Sequence, residues 1–168
     1  SDEKDNPPEK FAEVFARAKA DGLHITMHCD IDQADSIEHI RTCLKRIGVE
    51  RLDHGTNIVE DPELVEYAIK NKIGFTCCPV SNGFVTNDMK GKEIKYLLHK
   101  GALVTVNSDD PAYFQSYVAD DLYTLANAFD LTKEDIVQLA KNSFEASWLP
   151  LEKKRAYIAQ IDAYAAAN

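Results

Sequence analysis

Val104-Thr105-Val106-Asn107-Ser108-Asp109-Asp110-Pro111 is a β-branched run that stops at two adjacent carboxylates and a proline. Three consecutive β-branched residues predict a buried strand, and Pro111 cannot continue it. The strand therefore delivers Asp109 and Asp110 at its C-terminal tip, the edge where α/β folds bind ligands and run chemistry. Two like charges side by side repel unless a cation or a proton donor compensates them. A metal on one and a substrate proton on the other would satisfy both. The same residues also suit an ordinary helix N-cap with proline at the first helical position, so the rest of the chain has to decide.

Outward from this strand, the design repeats. Gly22 precedes Leu23-His24-Ile25-Thr26-Met27-His28, Gly48 precedes the strand ending at Asp53, Gly74 precedes Phe75-Thr76-Cys77-Cys78-Pro79, and Gly101 precedes the strand ending at Asn107. The glycines are spaced by 26, 26 and 27 residues, and each is placed to end a helix in the left-handed conformation. Helical stripes fill the gaps. One starts at Pro7-Pro8 and turns Phe11, Val14, Phe15 and Ala18 to one face; another covers 36–46 with Ile37, Ile40, Cys43, Leu44 and Ile47 inward. Asp61 and Pro62 open a third, burying Leu64, Val65, Ala68 and Ile69. The fourth covers 92–99 with Ile94, Leu97 and Leu98 inward, and helices follow over 119–129, from Thr132 with Asp135 as a capping box, and from Pro150.

Repeating βα units joined by short loops predict a parallel sheet. A complete (β/α)₈ barrel needs about 250 residues, more than the 168 present. The expected fold is thus α/β: the C-terminal half of a TIM barrel, with four parallel strands each followed by helices. Residues 1–168 would form this single half-barrel domain, carrying strands five to eight. A half barrel is expected to have two open sheet edges and an apolar inner face that demand covering, so the chain reads as cut from a longer enzyme or as one of two polypeptides. Two half barrels pairing their edges into a homo-oligomer would also be compatible.

The net charge of −9 argues against nucleic-acid or anionic-membrane partners, which need a basic face. No apolar run approaches the roughly 20 residues of a membrane span, and the polar start Ser-Asp-Glu-Lys-Asp-Asn-Pro-Pro does not resemble a signal peptide. Cys29, Cys43, Cys77 and Cys78 lack zinc-ribbon spacing and read as buried thiols of a cytoplasmic protein.

In a barrel, four strand tips converge on one site. They read His28-Cys29-Asp30-Ile31-Asp32, then Leu52-Asp53-His54-Gly55, then Cys78-Pro79-Val80-Ser81-Asn82, then Asn107-Ser108-Asp109-Asp110. A lone strand histidine is more often packed than ligating. Successive tips bearing His, His, Ser/Asn and Asp-Asp are poorly explained by capping, and they suit metal-assisted hydrolysis.

Taken together, HCD, LDHG, CPVSN and NSDDP resemble the adenosine/adenine deaminase family of the amidohydrolase superfamily, over nearly the whole chain. The resemblance implies a (β/α)₈ barrel with one catalytic metal, usually zinc, that exchanges a purine amino group for oxygen and releases ammonia. It implies His28 and Asp109 as metal ligands, His54 as the group that orients and deprotonates water, and Asp110 as the partner of purine N7. Ser81 and Asn82 would lie in a loop shaping the site. LDHG and NSDDPAYF resemble adenine-type members more than adenosine-type ones, so adenine or an N6-substituted adenine is the expected substrate.

Two departures stand out. The family's His-Ala-Gly-Glu carries a proton-shuttling glutamate where this chain has Ile31. Asp32 or Asp30 would have to take that role, Asp32 if the loop slides by one residue. The family's His-x-His pair on the first barrel strand is also absent, which leaves two zinc ligands where catalytic sites supply three. The remaining ligands are expected from an N-terminal half, without which the chain would be inactive. The competing readings are a different metal-dependent hydrolase on the same scaffold, such as one opening a cyclic amide, and a fragment with only a structural role.

Overall fold

In the computed structural model, which describes residues 5–29 and 32–167, four short strands lie side by side in chain order. They are β1 (Thr26–Cys29), β2 (Arg51–His54), β3 (Gly74–Cys77) and β4 (Leu103–Val106). Every neighbouring pair is parallel. Such pairing needs a crossover after each strand. The crossovers are α2 (Ser36–Arg41), continued by a π-helical turn over Thr42–Ile47, then α3 (Pro62–Lys70), then α4 (Pro79–Thr86) with α5 (Gly91–His99). The chain enters through a 3₁₀ turn at Pro8–Phe11 and α1 (Ala12–Ala20), and leaves through α6 (Pro111–Phe114), α7 (Val118–Phe129), α8 (Lys133–Glu145) and α9 (Leu151–Ala167). The strands and principal helices are those expected from the glycine spacing.

Register separates the two faces of the sheet. Met27, Leu52, Phe75 and Val104 form one row, and Cys77 with Val106 extends it. Apart from Met27, all of these are buried beneath the helices in one continuous core with Ile40, Leu44, Leu64, Ile94, Leu97 and Leu139. The opposite face carries Thr26 beside Arg51, and His28, Asp53, Thr76 and Thr105 in a second row. Asp53 accepts hydrogen bonds from the Thr76 hydroxyl at 2.6 Å and the Thr26 hydroxyl at 3.0 Å. The inner face is therefore a hydrogen-bonded polar layer and not the apolar surface expected from the sequence. The period-2 alternation of Thr26, Asp53 and Thr76 against Met27, Leu52 and Phe75 produces it.

Three further expectations are corrected. Gly48, Gly22 and Gly101 are left-handed, but Gly74 is not; Lys72 takes the positive φ of +53° ahead of β3. Gly74 is required for close approach, since a Cβ there would sit 2.8 Å from that of Ala146. The segment after Pro79, expected to be a loop, is helical because Pro79 occupies the first helical position of α4. Along the entry helix, Phe11 and Val14 remain exposed, while Phe15 and Ala18 pack on the core.

The β4 edge is partly covered. Buried Asn142 of α8 donates to the Val104 carbonyl at 2.9 Å and the Ala102 carbonyl at 3.4 Å, satisfying groups that an edge strand otherwise leaves open. Near the N-terminal ends of the strands, Trp148 stacks on His24 with ring centroids 4.8 Å apart, and the Arg51 guanidinium lies 4.0 Å from its ring. Among the described residues no helix is long and apolar enough to cross a membrane.

Candidate active site

The site grows from the C-terminal tips of β2, β3 and β4. His54 ends β2 with φ +61°, followed by Gly55 at +67°. Strict alternation would place His54 beside buried Cys29, its register partner. The left-handed turn instead lets its ring meet groups from the neighbouring tips. A non-glycine residue in this conformation costs roughly 1–2 kcal/mol, and such strain persists where surrounding contacts over-determine it.

Those contacts come from α4. The His54 Nδ1 lies 2.8 Å from the Asn82 Oδ1. An amide oxygen only accepts, so Nδ1 carries the proton and Nε2 presents its lone pair. That lone pair faces Asp109, whose Oδ2 is 3.6 Å away, too far for a hydrogen bond. Asp109 is left-handed as well, at φ +56°, and accepts a 2.7 Å hydrogen bond from the Ser81 hydroxyl. Consecutive residues of one helical turn after β3, Ser81 and Asn82, thus hold the two chemical groups on the flanking tips of β2 and β4. Both are buried, as is His54 at 4% exposure, so water competes little for these bonds.

Burial pushes the His54 pKa below its ordinary value, and the nearby His28 imidazole adds to this; the bond to Asn82 and the Asp109 and Asp53 carboxylates oppose it. His54 is accordingly neutral at pH 7, the state a general base or a ligand requires. His28, on the inner face, meets His54 edge-on with ring centroids 4.5 Å apart.

Of the residues expected from the sequence, His28, His54, Ser81, Asn82 and Asp109 are brought together. Asp110 follows at the N-cap position of α6 but makes no capping hydrogen bond with its side chain, so the capping alternative does not account for its carboxylate. Asp32 is exposed and accepts a 2.9 Å hydrogen bond from the Gln33 side-chain Nε2; it stands outside the donor cluster at the other tips. Asp30 lies outside the described residues.

One member was missed. The Cys78 thiol, with the His54 ring nitrogen and the Asp109 carboxylate, completes a set of donor atoms within 4.8 Å of one another, a group able to hold a metal ion. Burial, then the Asp109 carboxylate, pushes the Cys78 thiol well above its ordinary pKa. The signal was available: Thr76 faces inward, so the residue two further on does so too.

Parallel βα units with a strained His/Asp pair across their tips define half of a β/α barrel with its chemistry gathered at the C-terminal mouth. The chain belongs to the adenosine deaminase family, whose model matches residues 1–164. It is 45% identical over 168 residues to an uncharacterised deaminase of Schizosaccharomyces pombe, covering 99% of this chain and 50% of that protein. It is 41% identical over 164 residues to an adenine deaminase of Acinetobacter baylyi, covering 96% of this chain and 49% of that one. The crystal structure of an adenine deaminase from Arthrobacter aurescens superposes with a TM-score of 0.88 at 30% identity, over 98% of this chain and 50% of that one. The chain thus spans about half the length of the relatives it matches, and its fold is the C-terminal half of a TIM barrel.

Proposed function

We propose that this chain supplies the C-terminal half of the active site of a metal-dependent deaminase that acts on adenine or an N6-substituted adenine. The observation that carries the reading is the convergence of His54, Asp109, Ser81 and Asn82 at adjoining tips. Adenine deaminases of about 40% identity support the base over other amidines as the substrate class. In this reading residues 1–168 act as one half-barrel unit, and its partner is the N-terminal half of the barrel with further metal ligands.

An imidazole nitrogen and a carboxylate oxygen from this half suit a single divalent metal such as zinc. His28 and Asp109 are the ligands proposed from this half. When bound, the metal supplies activation of water near neutral pH.

His54, with Nδ1 tied to Asn82, accepts the proton of the attacking water on Nε2. Ser81 holds Asp109 against rotation. Asp110, not engaged in capping, faces the purine N7. Asp32 or Asp30 donates a proton at N1, which makes C6 electrophilic. Oxygen adds at C6, the exocyclic nitrogen takes up a proton, and the C6–N bond breaks to release ammonia, or an amine from a substituted substrate. The buried Asn82 Nδ2 has no acceptor among the described residues, a donor that the completed site would satisfy.

The test is ammonia release from adenine and adenosine, and amine release from N6-methyladenine, by the barrel completed with its N-terminal half. Turnover of adenine or its N6-alkyl derivative above adenosine is expected, with about one equivalent of zinc bound. Preference for adenosine removes the base-specific part. Release of a carboxylic acid from a cyclic amide, with none of ammonia from purines, replaces the reading altogether.

A further inference from the structure

Asp121 is a carboxylate buried completely on α7, outside the strand tips and unused by the chemistry above. Its neighbour Asp120 does the ordinary work at this helix start, accepting from the Tyr117 amide at 3.0 Å. Asp121 turns the other way. One oxygen accepts the Ser116 hydroxyl at 2.7 Å, and the other accepts the Val80 amide at 3.4 Å. Burial, with the Asp120 carboxylate adding, holds its pKa above the ordinary value against the pull of those two hydrogen bonds. A buried carboxyl group costs stability relative to an apolar side chain of similar size, so packing alone gives no reason for it.

Its two partners give one. Cys78, at the N-cap of α4, provides no capping side chain, and Pro79 has no amide proton. Val80 is thus the first free amide of that helix, and Asp121 takes it from another element while placing negative charge at the positive end of α4. The next two residues are Ser81 and Asn82, which hold Asp109 and His54. Ser116 lies just past α6, on the segment that leaves the Asp109-Asp110 tip, and its own amide bonds back to Pro111 at 3.3 Å. A single carboxylate therefore ties the exit of β3 to the exit of β4 from behind, without touching either reacting group.

We propose that Asp121 is a positioning residue for the site: it fixes the first turn of α4 against the β4 exit, so that Ser81 and Asn82 meet Asp109 and His54 in register. The assignment to catalysis rests on the deaminase reading above, but the geometric claim does not.

The experiment uses the complete enzyme with its metal, and compares Asp121→Leu, Asp121→Asn and Ser116→Ala with the parent. The first readout is the kcat and KM of deamination. The second is the proton resonance of the His54 Nδ1–H, which its bond to Asn82 shifts downfield and protects from exchange. Asp121→Leu is expected to lower kcat about 10- to 100-fold, with KM changed much less, as for other groups that orient catalytic residues. The same variant should lose the protected resonance. Asp121→Asn, which keeps an acceptor for Val80, should restore most of both, and Ser116→Ala should fall between.

A folded Asp121→Leu enzyme with kcat and resonance unchanged overturns the proposal. If that variant does not fold, Ser116→Ala decides: parental kcat and resonance overturn the proposal, and a loss of both supports it. If no purine releases ammonia from the parent, the functional reading fails while the resonance still judges Asp121.

Discussion

Leu52 and His54 are two residues apart on one strand, yet they belong to different economies of the molecule. Leu52 is fully buried in the layer beneath the helices, among Phe75, Val104 and Ile40. His54, in the same alternating row, leaves that layer by a left-handed turn and meets Asn82 and His28 instead. Asp53 between them faces inward to two threonines. The outer face of the sheet carries the core, whereas the inner face and the tips hold oriented polar groups.

Substitutions on β2 break or sharpen that contrast. The largest effect is expected from His54→Ala in the completed barrel, a fall in kcat on the order of 10³-fold from loss of the general base. Metal content, measured by atomic absorption, should stay at the parental level; a parallel loss of metal would move His54 into the ligand set. Leu52→Ala should act oppositely, lowering unfolding free energy by about 3 kcal/mol through lost contacts and a cavity, read by urea denaturation. An intact stability curve there would show that the helix layer is not the main core. Asp53→Ala should cost about 1 kcal/mol from its two hydrogen bonds, with activity reduced less than for His54→Ala. A larger loss of activity than of stability would extend the site down into the inner face.

The smallest effect concerns pH, at the start of α3. The Leu64 amide holds the Asp61 carboxyl below its usual range against the burial that would raise it, helped by Arg41 and the Glu63 amide. A carboxylate depressed in the folded state contributes stability above its unfolded pKa, and loses it as pH falls through the folded value. Stability of the parent should therefore decline below about pH 4 more steeply than that of Asp61→Asn. Identical acid limbs in the two proteins would assign no acid sensitivity to this cap.

Much of this was legible from residue order. The glycine spacing with its helical stripes gave four parallel strands, and Asp61-Pro62 and Thr132 with Asp135 marked helix starts that the structure retains. The tips pointed to His28, His54, Ser81, Asn82 and Asp109 because polar residues following apolar strands have few structural uses. What was not legible depends on non-local geometry. Nothing near His54 except Gly55 announces the left-handed turn that gives its ring to Asn82. Pro79 reads equally as a strand stop and as a helix start, and only packing against α7 favours the helix. The inner face was misjudged for another reason: Thr26, Asp53 and Thr76 come from three strands, and their satisfaction of one another becomes visible only once the register is known.

That polar inner layer bears on how the protein reaches its fold. Half of a barrel with an oily lumen would collapse or aggregate before the other half arrived, since exposed apolar sheet is the usual substrate of misassembly. Here the open side can be hydrated, its aspartate and threonines already bonded to one another, and its four-residue edges offer little length for a stray strand to add. The open face of this sheet thus offers water hydrogen-bonded polar groups where an apolar face would invite misassembly.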